Sequence, residues 1–370
     1  MMNKIYALLE QISAKRWTDS DIEKYIGHYK KAYSGYSTRD SLRANAASGA
    51  CTTQILITAL EKNEIQGALV CKTIVKGNKV RSEIYIATTI KELLDAQGST
   101  YVLTDYMKKA PELIRNFNGK LGIVGLPCEI KSIKRIVSRD RTLKDKVAFT
   151  IALFCGHTSD PELIDAVVQK LLNKYYSPLK KYVFRKGHWR GKLQAILEDG
   201  TIVERHSFYY NQYQNLFFHC SFKCFSCFDQ FGYDADINIG DAWLIEYKNN
   251  PVKHNILIAK TKKGLEIIDD LINDNKLKLY EIPITKVLDA QSRSALLHYN
   301  VSSRHKMGKK HGISIPDRVK QKTTWHQNIL AWLILFNWRW SKSKKAHWIF
   351  KMPQPVVKLY LYFFKLLQIL

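Results

Sequence analysis

From about Ser41 onward the apolar positions switch between helical and alternating spacing, and each switch marks an element. Ser48-Gly49-Ala50 opens a helical run, CTTQILITALEKN. A strand is expected over Gly67–Ile74, then a turn at Lys76-Gly77-Asn78 and a second strand near Ile84–Ala87. Tyr106–Phe117 reads as a helix, and Lys120–Val124 as a short apolar strand running into Gly125-Leu126-Pro127-Cys128. EIKSIKRIV then resumes helical spacing. The buried run VAFTIALFC precedes Gly156-His157, with Ser159 or Asp160 as N-cap and Pro161 in the first turn of a helix reaching Tyr175. Strands separated by helices in this way predict an α/β fold with a mostly parallel sheet and flanking helices.

Residues 181–207 break the rhythm. YVFRKG, KLQAILED and TIVERHS alternate apolar with polar positions, and Asp199-Gly200 is a strong hairpin turn. An antiparallel insertion is expected there. ADINIGDAW, NILIAKT, KGLEIIDDLIND and LKLYEIP then return to α/β. The organisation that follows is a polar N-terminal segment (1–35), an α/β domain (36–302), and a helical C-terminal appendage (303–370).

Composition changes this picture in two places. The apolar share of 46% and charged share of 25% belong to a folded chain. The net charge of +25 is unevenly spread: residues 303–370 hold fourteen Lys/Arg against the single acid Asp317, and five of the eight tryptophans. Basic residues mixed with Trp, Phe and Leu suit an anionic membrane surface, or a helical pair packed on its own domain, better than a nucleic acid. No apolar run approaches the ~20 residues of a membrane span. The N-terminal stretch MMNKIYALLEQISAKRW carries no export signal, so a reducing, cytoplasmic setting is expected for the seven cysteines.

Three of those cysteines stand together as Cys220-x3-Cys224-x2-Cys227. Spacings this short let one loop aim several thiolates at one point, as zinc or an iron–sulfur cluster requires. A remote residue must complete the set. For zinc, His157, His206 and His219 are of the right type; for a cluster, Cys128 or Cys155 would supply the fourth thiolate from a strand end. Cys51 and Cys71 lie in apolar runs and read as core. Cys128 at a helix start is a thiolate site or a buried turn residue, and Ser48-Gly49 a phosphate cradle or an N-cap. Asp236-x3-Gly240-Asp241 places carboxylates where they would touch a cofactor or cap a turn.

Taken in order, these segments resemble the coenzyme F-420 hydrogenase/dehydrogenase beta-subunit family, in particular its relatives from bacterial polysaccharide loci. The resemblance spans about residues 30–300 and rests on AYSGYSTRDSLRANAASGA, GIVGLPCEIKSIKR, FCGHTSDPELI, and the cysteine cluster followed by DADINIGDAW and NILIAKTKKGLEII. It implies an oxidoreductase holding FAD beside one 4Fe-4S cluster, with hydride exchange to a substrate or to the deazaflavin coenzyme F-420. On this reading Cys220, Cys224 and Cys227 ligate the cluster with Cys155, or else Cys128, as fourth. Ser48, Gly49, Gly125, Pro127, Asp236, Gly240 and Asp241 would line the flavin. No catalytic side chain is assigned. Ala50 stands where the family's second glycine would be, and Glu129 where its glutamine would be. Residues 1–35 hold no cysteine, so a ferredoxin-like electron donor is expected to be another polypeptide. The expected role is electron transfer serving cell-surface glycan synthesis, at the inner membrane face through the basic tail. The competing role is a zinc-stabilised, non-catalytic scaffold at the same surface.

Overall fold

The computed structural model describes residues 17–369. Among these, one sheet has the order β11-β1-β10-β9-β5-β4-β2-β3. Its strands are β1 (Lys31–Ser37), β2 (Gly67–Lys76), β3 (Lys79–Ala87), β4 (Leu121–Gly125), β5 (Val147–Leu153), β9 (Ile237–Asp241), β10 (Asn255–Ala259) and β11 (Leu277–Glu281). A second, antiparallel sheet has the order β6-β7-β8, with β6 (Leu179–Lys186), β7 (Lys192–Leu197) and β8 (Ile202–His206).

The central strands β2, β4, β5 and β9 run parallel. The flanking strands β3, β10, β1 and β11 pair antiparallel. β4 and β5 are buried along most of their length, because helices cover both faces. The expected insertion is the β6–β8 sheet. β1 begins at Lys31, inside the stretch read as a polar N-terminal segment, and sits between β10 and β11. Its signal is weak in the sequence because KAYSGYS mixes small and polar residues, yet its burial is nearly continuous.

The parallel strands all point the same way, so Gly125, Leu153 and Asp241 end β4, β5 and β9 on one edge. That edge is where open α/β sheets receive ligands. The C-terminal helices Trp325–Ser341 and Gln354–Ile369 dock beyond it, sharing an apolar core with the helix Pro161–Leu172 and the β6–β8 sheet. Polar ties secure the docking: Asn337 Nδ2 donates to Leu216 O at 2.8 Å, and His219 N to Ser341 Oγ at 2.9 Å.

Candidate functional site

Three separate segments bring thiols to this edge. Cys128 stands on the first turn of the helix Pro127–Val137, directly after β4. Pro127 costs nothing at the first helical position, where its missing N–H would be unpaired anyway. The Glu129 carboxylate accepts the Leu126 N–H at 2.8 Å and fixes the turn. Cys155 follows β5 by two residues. The intervening Phe154 lies so close over Gly240 that a Cβ there would fall 1.9 Å from the ring, so glycine is what lets this loop pack on β9. Cys224 and Cys227 come from the short 3-10 helix Phe222–Ser226 and the residue that follows it. Backbone bonds from Ser221 N to Thr158 O (2.9 Å) and from Asp160 N to His219 O (2.7 Å) tie that loop to the Cys155 segment.

Cys128, Cys155, Cys224 and Cys227 are electrostatic neighbours of one another. Burial pushes Cys128 up to about 12 and Cys227 up to about 11, and holds Cys155 well above the usual thiol range. Cys224 is the exception. The neighbouring Cys220 thiol, together with the Thr158 N–H and Oγ1 that both lie 3.5 Å away, brings it down to about 6 despite its burial. Cys220 itself is fully buried, with Cys224, Arg304 and Asp160 as its strongest neighbours. Of these five thiols, Cys155 and Cys224 line the adjoining cavity, and Cys128, Cys220 and Cys227 do not.

By their chemistry, thiols from three segments are the donor type of a thiolate-bound metal centre. Thiols that burial keeps protonated become ligands when a metal group supplies compensating charge. Among the described residues, no group of three or more His, Cys, Asp or Glu side chains is arranged to hold a metal ion. His157, His206 and His219 do not join the thiols in such a set. Cys51 is core, as expected, and Cys71 is partly buried in β2.

A cavity of about 1150 Å³ opens beside Cys155 and Cys224. That exceeds the ~300–1,000 Å³ of ordinary small-ligand sites and leaves room for a dinucleotide. Ser48, Gly125, Gly240 and Asp241 line it, as the sequence suggests. Three others expected there do not. Gly49 is packed against Gly35 O and Asn255, where a Cβ would meet atoms at 2.7 and 2.9 Å. Pro127 is buried in its helix turn. Asp236 lies before β9, at the opposite end from the cavity, and its carboxylate accepts from Thr150 N, Thr150 Oγ1 and Thr261 Oγ1. Its role is to tie β5 to the segment after β10.

The β6–β8 sheet supplies a cavity wall. Arg185, buried on β6, pairs with Asp241 at 2.6 Å and donates to Ala47 O at 2.9 Å. It thereby clamps the Ser48 loop to the end of β9. Its guanidinium and that of Arg190 stack on Trp243 at 4.8 and 5.4 Å. Ala50, at the mouth of the helix Cys51–Glu61, has φ +64°. An alanine in that left-handed conformation costs about 1–2 kcal/mol. Glycine there would relieve the strain but return about 0.4–1 kcal/mol through the freer unfolded chain. Ala50→Gly is therefore expected to stabilise the protein by about 0–1.6 kcal/mol, read as an unchanged or higher denaturant midpoint.

Arg185, Thr158 and Arg304 escape sequence reasoning. Arg304 lies beyond the expected domain boundary, yet it is buried and donates to Phe225 O (2.8 Å), Cys227 O (3.2 Å), Leu297 O (2.6 Å) and His298 O (2.8 Å). Nothing in VSSRH distinguishes it from the surrounding basic residues. Burial brings its guanidinium down to about 10, and the nearby thiols oppose that shift.

Three histidines around the site set an acid limit. Burial brings His157 and His219 down to about 4, and His298 to about 3. The unfolded imidazole protonates near pH 6.5. Below that pH the unfolded state binds more protons than the folded one, so stability falls as pH drops from 6.5 toward 4. The metal-free protein is expected to show this as a steep decline of its melting temperature, largely removed at one site by His219→Asn.

The chain matches two family models, "Coenzyme F420 hydrogenase/dehydrogenase, beta subunit N-term" over residues 32–109 and the corresponding "C terminus" over residues 118–284. The coenzyme F420 hydrogenase subunit beta of Methanosarcina barkeri is 25% identical over 268 residues, covering 71% of this chain and 86% of that one. The subunit of the same name from Methanothermobacter thermautotrophicus is 22% identical over 295 residues, covering 76% and 98%. In three dimensions, a chain from the xenon-derivatized F420-reducing [NiFe] hydrogenase complex of Methanosarcina barkeri superposes with a TM-score of 0.60 at 20% identity, over 80% of this chain and 98% of that one.

Proposed function

Since the chain belongs to the coenzyme F420 hydrogenase/dehydrogenase beta-subunit family, an oxidoreductase family, we propose that it exchanges electrons between a 4Fe-4S cluster and FAD. The observation that carries this reading is a set of neighbouring thiols from three chain segments, Cys128, Cys155, Cys224 and Cys227, of which Cys155 and Cys224 line a dinucleotide-sized cavity. Cys128, Cys155, Cys224 and Cys227 would hold the cluster. The walls at Ser48, Gly125, Gly240 and Asp241 would take the flavin. When bound, the cluster supplies single electrons and the flavin converts pairs of them into a hydride equivalent.

The chain's own residues prepare the site. Cys220 and Thr158 hold Cys224 in its thiolate form at neutral pH. Arg304 and Lys223 place positive charge beside the thiols, favouring their deprotonation. Arg185 keeps the cavity wall closed against Asp241. Glu129, raised to about 7 by burial, brings an exchangeable proton next to Cys128 and the cavity. The free state of all seven cysteines suits a reducing, cytoplasmic setting. The exposed Phe222 and Lys223 beside the thiols offer a ferredoxin-like donor a place to dock. The deazaflavin that names the relatives is the first hydride partner to test, and glycan synthesis is the setting suggested by the polysaccharide-locus resemblance.

Anaerobic reconstitution followed by electron paramagnetic resonance of the reduced protein, with flavin quantitation, tests this directly. A cluster signal with bound flavin is expected. Zinc alone, with no flavin and no paramagnetic signal, would return the chain to the scaffold reading.

A further inference from the structure

The two long C-terminal helices are apolar on the side facing away from the core as well as on the side packed into it. In the helix Trp325–Ser341, Leu330, Ala331, Ile334 and Leu335 are buried, while Trp325, Ile329, Trp332 and Phe336 are exposed. Those four recur at intervals of four, three and four residues, which is one helical stripe, and Arg339 extends it by one more turn. The stripe is about 21 Å long at 1.5 Å per residue. The neighbouring helix Gln354–Ile369 repeats the pattern: Val357, Leu361 and Phe364 are buried, and Val356, Leu359, Phe363 and Leu366 are exposed. Trp325 and Leu359 are exposed to 67% and 73%, far beyond what packing on this chain would leave.

An apolar face of this extent marks an interaction site, and its surroundings say what kind. Lys344 and Lys345 are exposed just after the first helix, and Lys351 lies over the ring of the exposed Trp348 at 5.1 Å. The segment from residue 303 onward carries fourteen basic residues and one acid. Arg339, Phe336, Trp340, His311 and Ser343 also surround a pocket of about 440 Å³, with a guanidinium beside aromatic rings. A cation next to an apolar slot matches a phosphate group joined to an acyl chain. No helix among the described residues is long and apolar enough to cross a membrane, so the geometry is that of a surface lying in the interface.

We propose that these two helices seat the protein on an anionic phospholipid surface, with the aromatic stripes among the acyl chains and the lysines at the headgroups. This inference rests on exposure and charge in the C-terminal helices and stands apart from the redox reading. Flotation of the full chain with phosphatidylcholine vesicles, with and without phosphatidylglycerol, tests it. Co-flotation with the anionic vesicles, a blue shift of tryptophan emission and release by salt are expected. Trp332→Ser with Phe336→Ser, and separately Lys344→Glu with Lys345→Glu, should each reduce partitioning about tenfold or more. The lysine pair is exposed, so its variant tests the idea even if the aromatic variant folds poorly. Absence of co-flotation overturns the proposal, as does equal, salt-insensitive binding to neutral vesicles. A lipid-free dimer abolished by the aromatic substitutions, without vesicle binding, would assign the face to a second copy and overturn it too.

Discussion

Serine at Cys128, Cys155, Cys224 or Cys227 is expected to abolish retention of a reconstituted 4Fe-4S cluster, whereas Cys220→Ser retains most of it. A cubane needs four thiolates, and a hydroxyl is a poor replacement for any one of them. The four named thiols are electrostatic neighbours drawn from the end of β4, the end of β5 and the short 3-10 segment. Cys220 is a neighbour of Cys224 that favours its thiolate form, and it is not a neighbour of the other three in the same way. Serine keeps a polar group at that position, so its effect is small. Cys220→Ala removes the polar group and should weaken iron retention by about 10–100-fold, as loss of an outer partner of a metal ligand does. Iron and sulfide content, with absorbance near the visible charge-transfer band, measures each variant. An empty Cys220→Ser protein beside a loaded Cys128→Ser protein would restore the loop triad plus Cys155 as the ligand set.

Arg304→Gln should produce the second large effect, on stability and on the thiols together. The guanidinium satisfies four backbone carbonyls from two segments, the Cys224–Cys227 loop and the end of the helix Ile284–Tyr299. Glutamine reaches at most two of them. Each buried acceptor left unpaired costs about 1–3 kcal/mol, so a loss of about 2–6 kcal/mol is expected. Lysine keeps the charge but not the planar fork and should fall between. Because the positive charge favours the thiolate forms of Cys220, Cys224 and Cys227, its removal raises their pKa values. The pH profile of thiol alkylation in the metal-free protein reports this shift, and Arg304→Lys should leave it nearly unmoved. Wild-type stability in Arg304→Gln would show that the carbonyls find other partners and that the docked helix is held without them.

Both predictions involve contacts that differ in how visible they are along the chain. The alternation of helical and strand periods made the α/β order readable, because residues facing a common core must recur at the period of their own element. Tight local chemistry was readable for the same reason. Pro127-Cys128 at a helix start, Gly240-Asp241 at a strand end and the Cys224-x2-Cys227 spacing are all short-range features. β1 was harder, since its small and polar residues gain their burial from β10 and β11, which lie more than two hundred residues away.

The cavity shows the same division. Ser48, Gly125, Gly240 and Asp241 reach it because each ends or begins an element on one sheet edge, and that edge follows from a parallel arrangement. Asp236, from the same short motif as Asp241, does not, because a five-residue strand separates them and carries them to opposite ends. Arg185 and the stacked Trp243 enter the wall only because the β6–β8 sheet folds back over it.

By itself, the sequence determined the element order, the family and the clustering of Cys220, Cys224 and Cys227, since these depend on periodicity and on spacings of a few residues. Tertiary structure alone decided which thiols become neighbours, bringing Cys128 and Cys155 from two strand ends beside Cys224 and Cys227, with Cys220 next to Cys224. It alone decided that Arg304 reaches in from the C-terminal helices, and that Trp325, Trp332 and Leu359 stay outside. The reason is geometric: which way a side chain points is fixed by the packing of segments far apart in the chain, and local spacing carries no record of that packing.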